Sequence, residues 1–126
     1  MIDKKYLEDL YKIADTQGYE EQSMQLIEEM AELTQAINKH RRYRTNETLG
    51  NLIEEIADVS IVLEQVNYLV GYDIAFDGLV KQKIERTKKR IAENGRNIKS
   101  QRELAAIIPK DKMMDLLIKD KESKNE

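Results

Sequence analysis

Two octapeptides, LIEEMAEL at 26–33 and LIEEIADV at 52–59, set the same apolar frame around three acidic residues each. At about 100° per residue on a helix, Glu29 and Glu32 fall roughly 60° and 120° to one side of the stripe Leu26, Met30, Leu33 and Ile37. Glu55 and Asp58 fall at the same two offsets from the stripe Leu52, Ile56, Val59 and Leu63, whereas Glu28 and Glu54 point away from it. Glu29 and Asp58 are equidistant from a midpoint between Tyr43 and Arg44, and so are Glu32 and Glu55. An antiparallel hairpin turning there sets Glu29 opposite Asp58 and Glu32 opposite Glu55, with helix axes about 8–10 Å apart.

Four carboxylates converging beside an apolar seam repel one another and raise their own pKa values unless positive charge sits among them. A lysine or arginine could supply it. Hard oxygen donors suit Mg²⁺, with Mn²⁺ as a substitute, and four acids balance the charge of two such ions. Di-iron chemistry needs Glu-x-x-His pairs, and the sole histidine, His40, lies in neither repeat. A single ExxE is ordinary surface charge; two copies in matching register are the signal.

The elements that position these acids read as helices, because apolar residues recur three and four apart and no sustained alternation occurs. Asp3 is expected to cap a first helix whose Leu7, Leu10, Tyr11 and Ala14 share a side, with Gly18 just past its end. A second helix spans about 20–41, and after a polar turn at 43–46 a third spans about 47–70 and ends at Gly71. Asp73 is expected to cap a fourth, carrying Val80, Ile84, Thr87 and Ile91 on one face and closing at Gly95. Ser100 with Glu103 forms a capping box for a short helix stopped by Pro109, and an amphipathic piece at 113–118 leads into a charged tail. The expected fold is an all-α antiparallel bundle of four main helices plus short C-terminal ones.

With 126 residues and no cysteine, the chain reads as one domain without disulfides or thiolate metal sites. Residues 1–95 are expected to carry the site and 96–126 a helical extension and tail. The start, MIDKKYLEDL, has no apolar leader region, and the longest apolar run is LAAII at 104–108, which predicts no membrane partner and a cytoplasmic location. Net charge is -3, unevenly spread: 81–102 holds nine Lys/Arg against two Glu, while 20–32 holds five acids and no base.

The acidic pattern resembles that of the MazG-like all-α nucleoside triphosphate pyrophosphohydrolases, with Glu28-Glu29-Met30-Ala31-Glu32 like their EExxE and Glu55-Ile56-Ala57-Asp58 like their ExxD. The similarity continues through Gly71-Tyr72-Asp73 and through 83–90, which is like the family's K-x-x-x-N-x-x-R segment, and covers roughly 20–92. Thr87 stands where the family has asparagine; Lys83 and Arg90 match. The resemblance implies Mg²⁺-dependent cleavage between the α and β phosphates of a nucleoside triphosphate, to monophosphate and pyrophosphate, in a homodimer or homotetramer with sites at or near subunit contacts. In that reading Glu29, Glu32, Glu55 and Asp58 hold metal, and Glu32 or Glu55 orients the attacking water. Glu28 supports, Lys83 and Arg90 meet phosphate, and Gln22, Gln25 and Thr87 are candidate substrate contacts.

The run KHRRYR at 39–44 is explained by cations favouring a helix C-terminus, and His40 within it is expected in solvent. Apolar residues on a second flank, Ile27, Ala31, Ile53 and Ala57, predict self-association. Three other functions stay open: a dUTP- or dCTP-specific pyrophosphatase of the same fold, a non-catalytic helical interaction module, and a nucleic-acid binder resting on 81–102. The last lacks interleaved aromatics, so no nucleic-acid partner is expected.

Overall fold

A computed structural model describes residues 1–94. The described residues form three α-helices and no strand: α1, Lys4–Tyr43; α2, Asn46–Val70; and α3, Asp73–Asn94. Gly95, the Ser100–Glu103 box, the helix before Pro109, the piece at 113–118 and the tail lie outside them.

The chain enters α1 at Asp3, whose Oδ1 accepts from the Lys5 backbone N–H at 3.0 Å. Gly18 then breaks the helix, with φ 86° and ψ 167°, a conformation essentially confined to glycine. The two arms of α1 run in opposite senses along α2. Before Gly18, Met1 lies at Ser60, Tyr11 hydrogen-bonds Glu64 and Asp15 accepts from Tyr68, so this arm runs parallel to α2. After Gly18, Gln22 meets Gln65 and His40 meets Thr48, so this arm runs antiparallel. The expected end of a first helix at Gly18 thus appears as a reversal inside one long element.

Arg44 closes α1 in the left-handed region, its N–H on the His40 carbonyl at 3.0 Å. Thr45 and Thr48 form a reciprocal capping box that starts α2, and Gly71 ends it at φ 77°. The tight link at Arg44 and Thr45 supplies the hairpin that the spacing of the acids requires.

The core is small: Leu10, Ala14, Ala36, Leu49 and Val62 are its buried apolar residues. Two buried amides share the interior and are paired there, whereas His40 Nε2 is buried without a partner. Gln22 Nε2 donates to Gln65 Oε1 at 2.6 Å, and Gln65 Nε2 donates to the Leu10 carbonyl at 3.1 Å, so one α2 side chain ties both arms. Tyr11 and Tyr68 stack with centroids 4.2 Å apart and fasten the same end.

Two expectations change here. His40 is buried rather than in solvent, its Nδ1 3.0 Å from Thr48 Oγ1. The reason is a rotation of α1: the line facing α2 runs through Gln22, Glu29 and Ala36 at intervals of seven and ends near His40, while Met30 and Ile37 of the expected stripe are exposed. In addition, α3 does not act as a fourth wall. None of its residues is buried, and Phe76, Leu79, Val80 and Ile84 are exposed. Its first turn reaches the pair where Phe76 joins Met1, Leu7 and Leu63 around an apolar hollow of about 300 Å³. No helix among the described residues is long and apolar enough to cross a membrane.

Candidate functional site

The acids of both repeats meet where the second arm of α1 crosses the first half of α2. Glu29, Glu32 and Glu55 each offer a carboxylate oxygen, and these oxygens all lie within 4.8 Å of one another. The heptad line explains the meeting. Glu29 sits between Gln22 and Ala36 on α1, and Glu55 sits between Thr48 and Val62 on α2, so acids fill places that core residues hold one turn pair away.

Glu29 and Glu55 are half-buried and Glu32 is exposed. The Oε2 atoms of Glu29 and Glu55 are buried without a hydrogen-bond partner. Burial raises the Glu55 pKa, and the charges of Glu32, Asp58 and Glu29 raise it further. Among the described residues no lysine or arginine is ion-paired with any of the three; the ion pairs Lys12–Glu8 and Lys88–Glu85 are exposed and lie within single helices.

Beside the three acids a cleft of about 320 Å³ opens, lined by Glu32, Gln35, Ala36 and Lys39 from α1 and by Thr48, Asn51 and Glu55 from α2. Gln35, Lys39 and Asn51 were not singled out by acidic spacing; they lie three, seven and four residues from an acid of the repeats, which is the helical signal that finds them. Thr48 is held in place, since its hydroxyl serves both the α2 cap and His40.

The other expected site residues are distributed as follows. Asp58 is exposed and outside the group of three, though its charge acts on Glu55. Glu28 is exposed. Gln22 is buried, with its amide committed to Gln65. Gln25 donates to Glu29 Oε1 at 2.8 Å. Lys83, Thr87 and Arg90 lie exposed on α3, away from the cleft lining, and the Thr87 hydroxyl donates to the Lys83 carbonyl at 2.9 Å.

The donor set is carboxylate oxygen throughout, the kind that suits Mg²⁺ or Mn²⁺, and two of its oxygens are buried acceptors without donors. Those features fit a hard divalent cation at Glu29, Glu32 and Glu55. Comparison with protein-family profiles, with curated proteins and with solved structures finds no match to this chain.

Proposed function

We infer that the chain hydrolyses nucleoside triphosphates, deoxynucleotides foremost, between the α and β phosphates, releasing a nucleoside monophosphate and pyrophosphate, with Mg²⁺ as the cofactor. The observation that carries this reading is the convergence of Glu29, Glu32 and Glu55 with two buried oxygens left without donors. Its finer form is a MazG-like four-helix arrangement, in which the arms of α1 count as two helices and α3 completes the bundle within an assembly.

A divalent cation held at these acids would supply polarisation of the α-phosphate and acidification of water beside it. Glu29, Glu32 and Glu55 would hold it from the two helices, and Asp58 is the fourth acid of this reading. Glu32, the exposed member of the three and one of the two that line the cleft, orients the attacking water and takes its proton. Lys39 lies two turns along α1 from Glu32, about 10 Å, and neutralises phosphate charge at the far end of the cleft. Lys83 and Arg90 reach phosphate only if α3 of a second copy approaches the cleft.

Self-association belongs to this reading. Ile27 is 65% exposed, Ile74 91% and Leu63 49%, and five buried apolar residues among the described ones make a small core. A homodimer or homotetramer in the cytoplasm is the proposed working form, and sedimentation equilibrium returning a monomer at micromolar concentration would refute it.

The test is ³¹P NMR of a panel of dNTPs and NTPs with the protein and Mg²⁺, run beside Glu55→Gln. Monophosphate and pyrophosphate from the wild type alone is the expected result. Inorganic phosphate as the first product, or equal turnover by the variant, removes the reading. The panel also separates a broad enzyme from a dUTP- or dCTP-specific one. The exposed apolar faces favour one second reading, a non-catalytic interaction module, which predicts no turnover and no effect of Mg²⁺ on melting.

A further inference from the structure

The repeat extends one residue beyond the acids' apolar frame: QLIEEMAEL at 25–33 and NLIEEIADV at 51–59 both begin with an amide four residues before a converging glutamate. The two amides do different things. Gln25 Nε2 donates to Glu29 Oε1 at 2.8 Å, along the α1 face one turn apart. Asn51, one methylene shorter, makes no such bond with Glu55 and instead lines the cleft.

We propose that Gln25 is a positioning residue for the divalent-cation site: it occupies Glu29 Oε1 and so holds Glu29 Oε2 toward Glu32 and Glu55. This rests on the cation reading given above. The terminal torsion of a glutamate is broad, and mutual repulsion of three carboxylates turns an unrestrained one outward to water. A donor on one oxygen stops that rotation, and the other oxygen of Glu29 is the one found buried without a partner. Ligating carboxylates generally depend on such outer hydrogen bonds, whose loss weakens metal affinity by roughly 10–100-fold. Asn51 supplies no equivalent amide restraint to Glu55, so the amide-held ligand is that of the first repeat.

The experiment is Mn²⁺ binding to the full-length protein, read by the loss of the free-ion EPR signal, for wild type, Gln25→Met and Asn51→Leu, with the melting temperature of each metal-free protein. Methionine matches glutamine in shape and helix preference and cannot donate. The expected result is a Kd for Mn²⁺ raised about tenfold or more in Gln25→Met. Asn51→Leu stays near the wild-type value, and the metal-free melting temperature of Gln25→Met does not fall. An unchanged Kd in Gln25→Met overturns the proposal, as does an equal loss in both variants. A lowered metal-free melting temperature with unchanged Kd assigns Gln25 to packing alone. If the wild type itself binds no Mn²⁺, the cation reading fails first and the positioning role with it.

Discussion

Glu29 and Glu55 face each other across the α1–α2 seam, each with one carboxylate oxygen buried and without a donor. Like charges so placed oppose folding, and the raised pKa of Glu55 is the sign of that opposition.

Removing one charge should therefore stabilise the metal-free protein. In Glu55→Gln the new amide can donate to Glu32, replacing repulsion with a hydrogen bond. The folded state binds the Glu55 proton more tightly than the unfolded chain does, so the wild type recovers stability as pH falls through the folded pKa. Urea melts should show the variant more stable at pH 7 and the difference narrowing toward the ordinary carboxylate range. A variant less stable than wild type at pH 7 contradicts the burial of charge described here.

Divalent cation should reverse the same opposition. At a concentration 100 times its Kd, Mg²⁺ or Mn²⁺ adds about 2.7 kcal/mol to wild-type stability, and chelation removes it. Differential scanning fluorimetry with and without EDTA measures this, and Glu55→Gln should lose most of the response.

Gly18→Ala tests the reversal in α1. A Cβ there meets nothing within 4 Å, so any cost is conformational rather than steric contact with neighbours. The φ of 86° with ψ of 167° predicts a loss of about 1–3 kcal/mol in chemical denaturation. An unchanged midpoint would mean that the arms separate at another residue.

Gln65→Leu breaks both bonds that tie the α1 arms to α2. It strands the buried Gln22 amide and the Leu10 carbonyl's second acceptor position, with an expected loss of about 1–3 kcal/mol. Hydrogen exchange should show both arms opening more readily, not one alone.

Much of this was legible in the residues. Caps at Asp3 and Gly71, the break at Gly18 and the pairing of Glu32 with Glu55 follow from spacing and from the few residues that tolerate such geometry, whereas the Thr45 cap was hidden within a stretch read only as a polar turn. The rotation of α1 was not legible, because periodicity ranks faces by apolarity and the packed face carries Gln22, Glu29 and His40. Buried amides and imidazole look like surface residues until their partners are known. The position of α3 was hidden for a related reason: an amphipathic helix announces that it has an apolar side without saying what covers it.

The reversal at Gly18 has an effect along α2 as a whole. The first arm grips residues 60–68, while the acids lie at the other half of the helix, near 48–55. The first arm's grip and the converging acids thereby lie toward opposite ends of one rod. Substitutions at the gripped end can tune how firmly the chain holds together without touching the acids, so that grip offsets a charge repulsion that a shorter hairpin would have to bear alone.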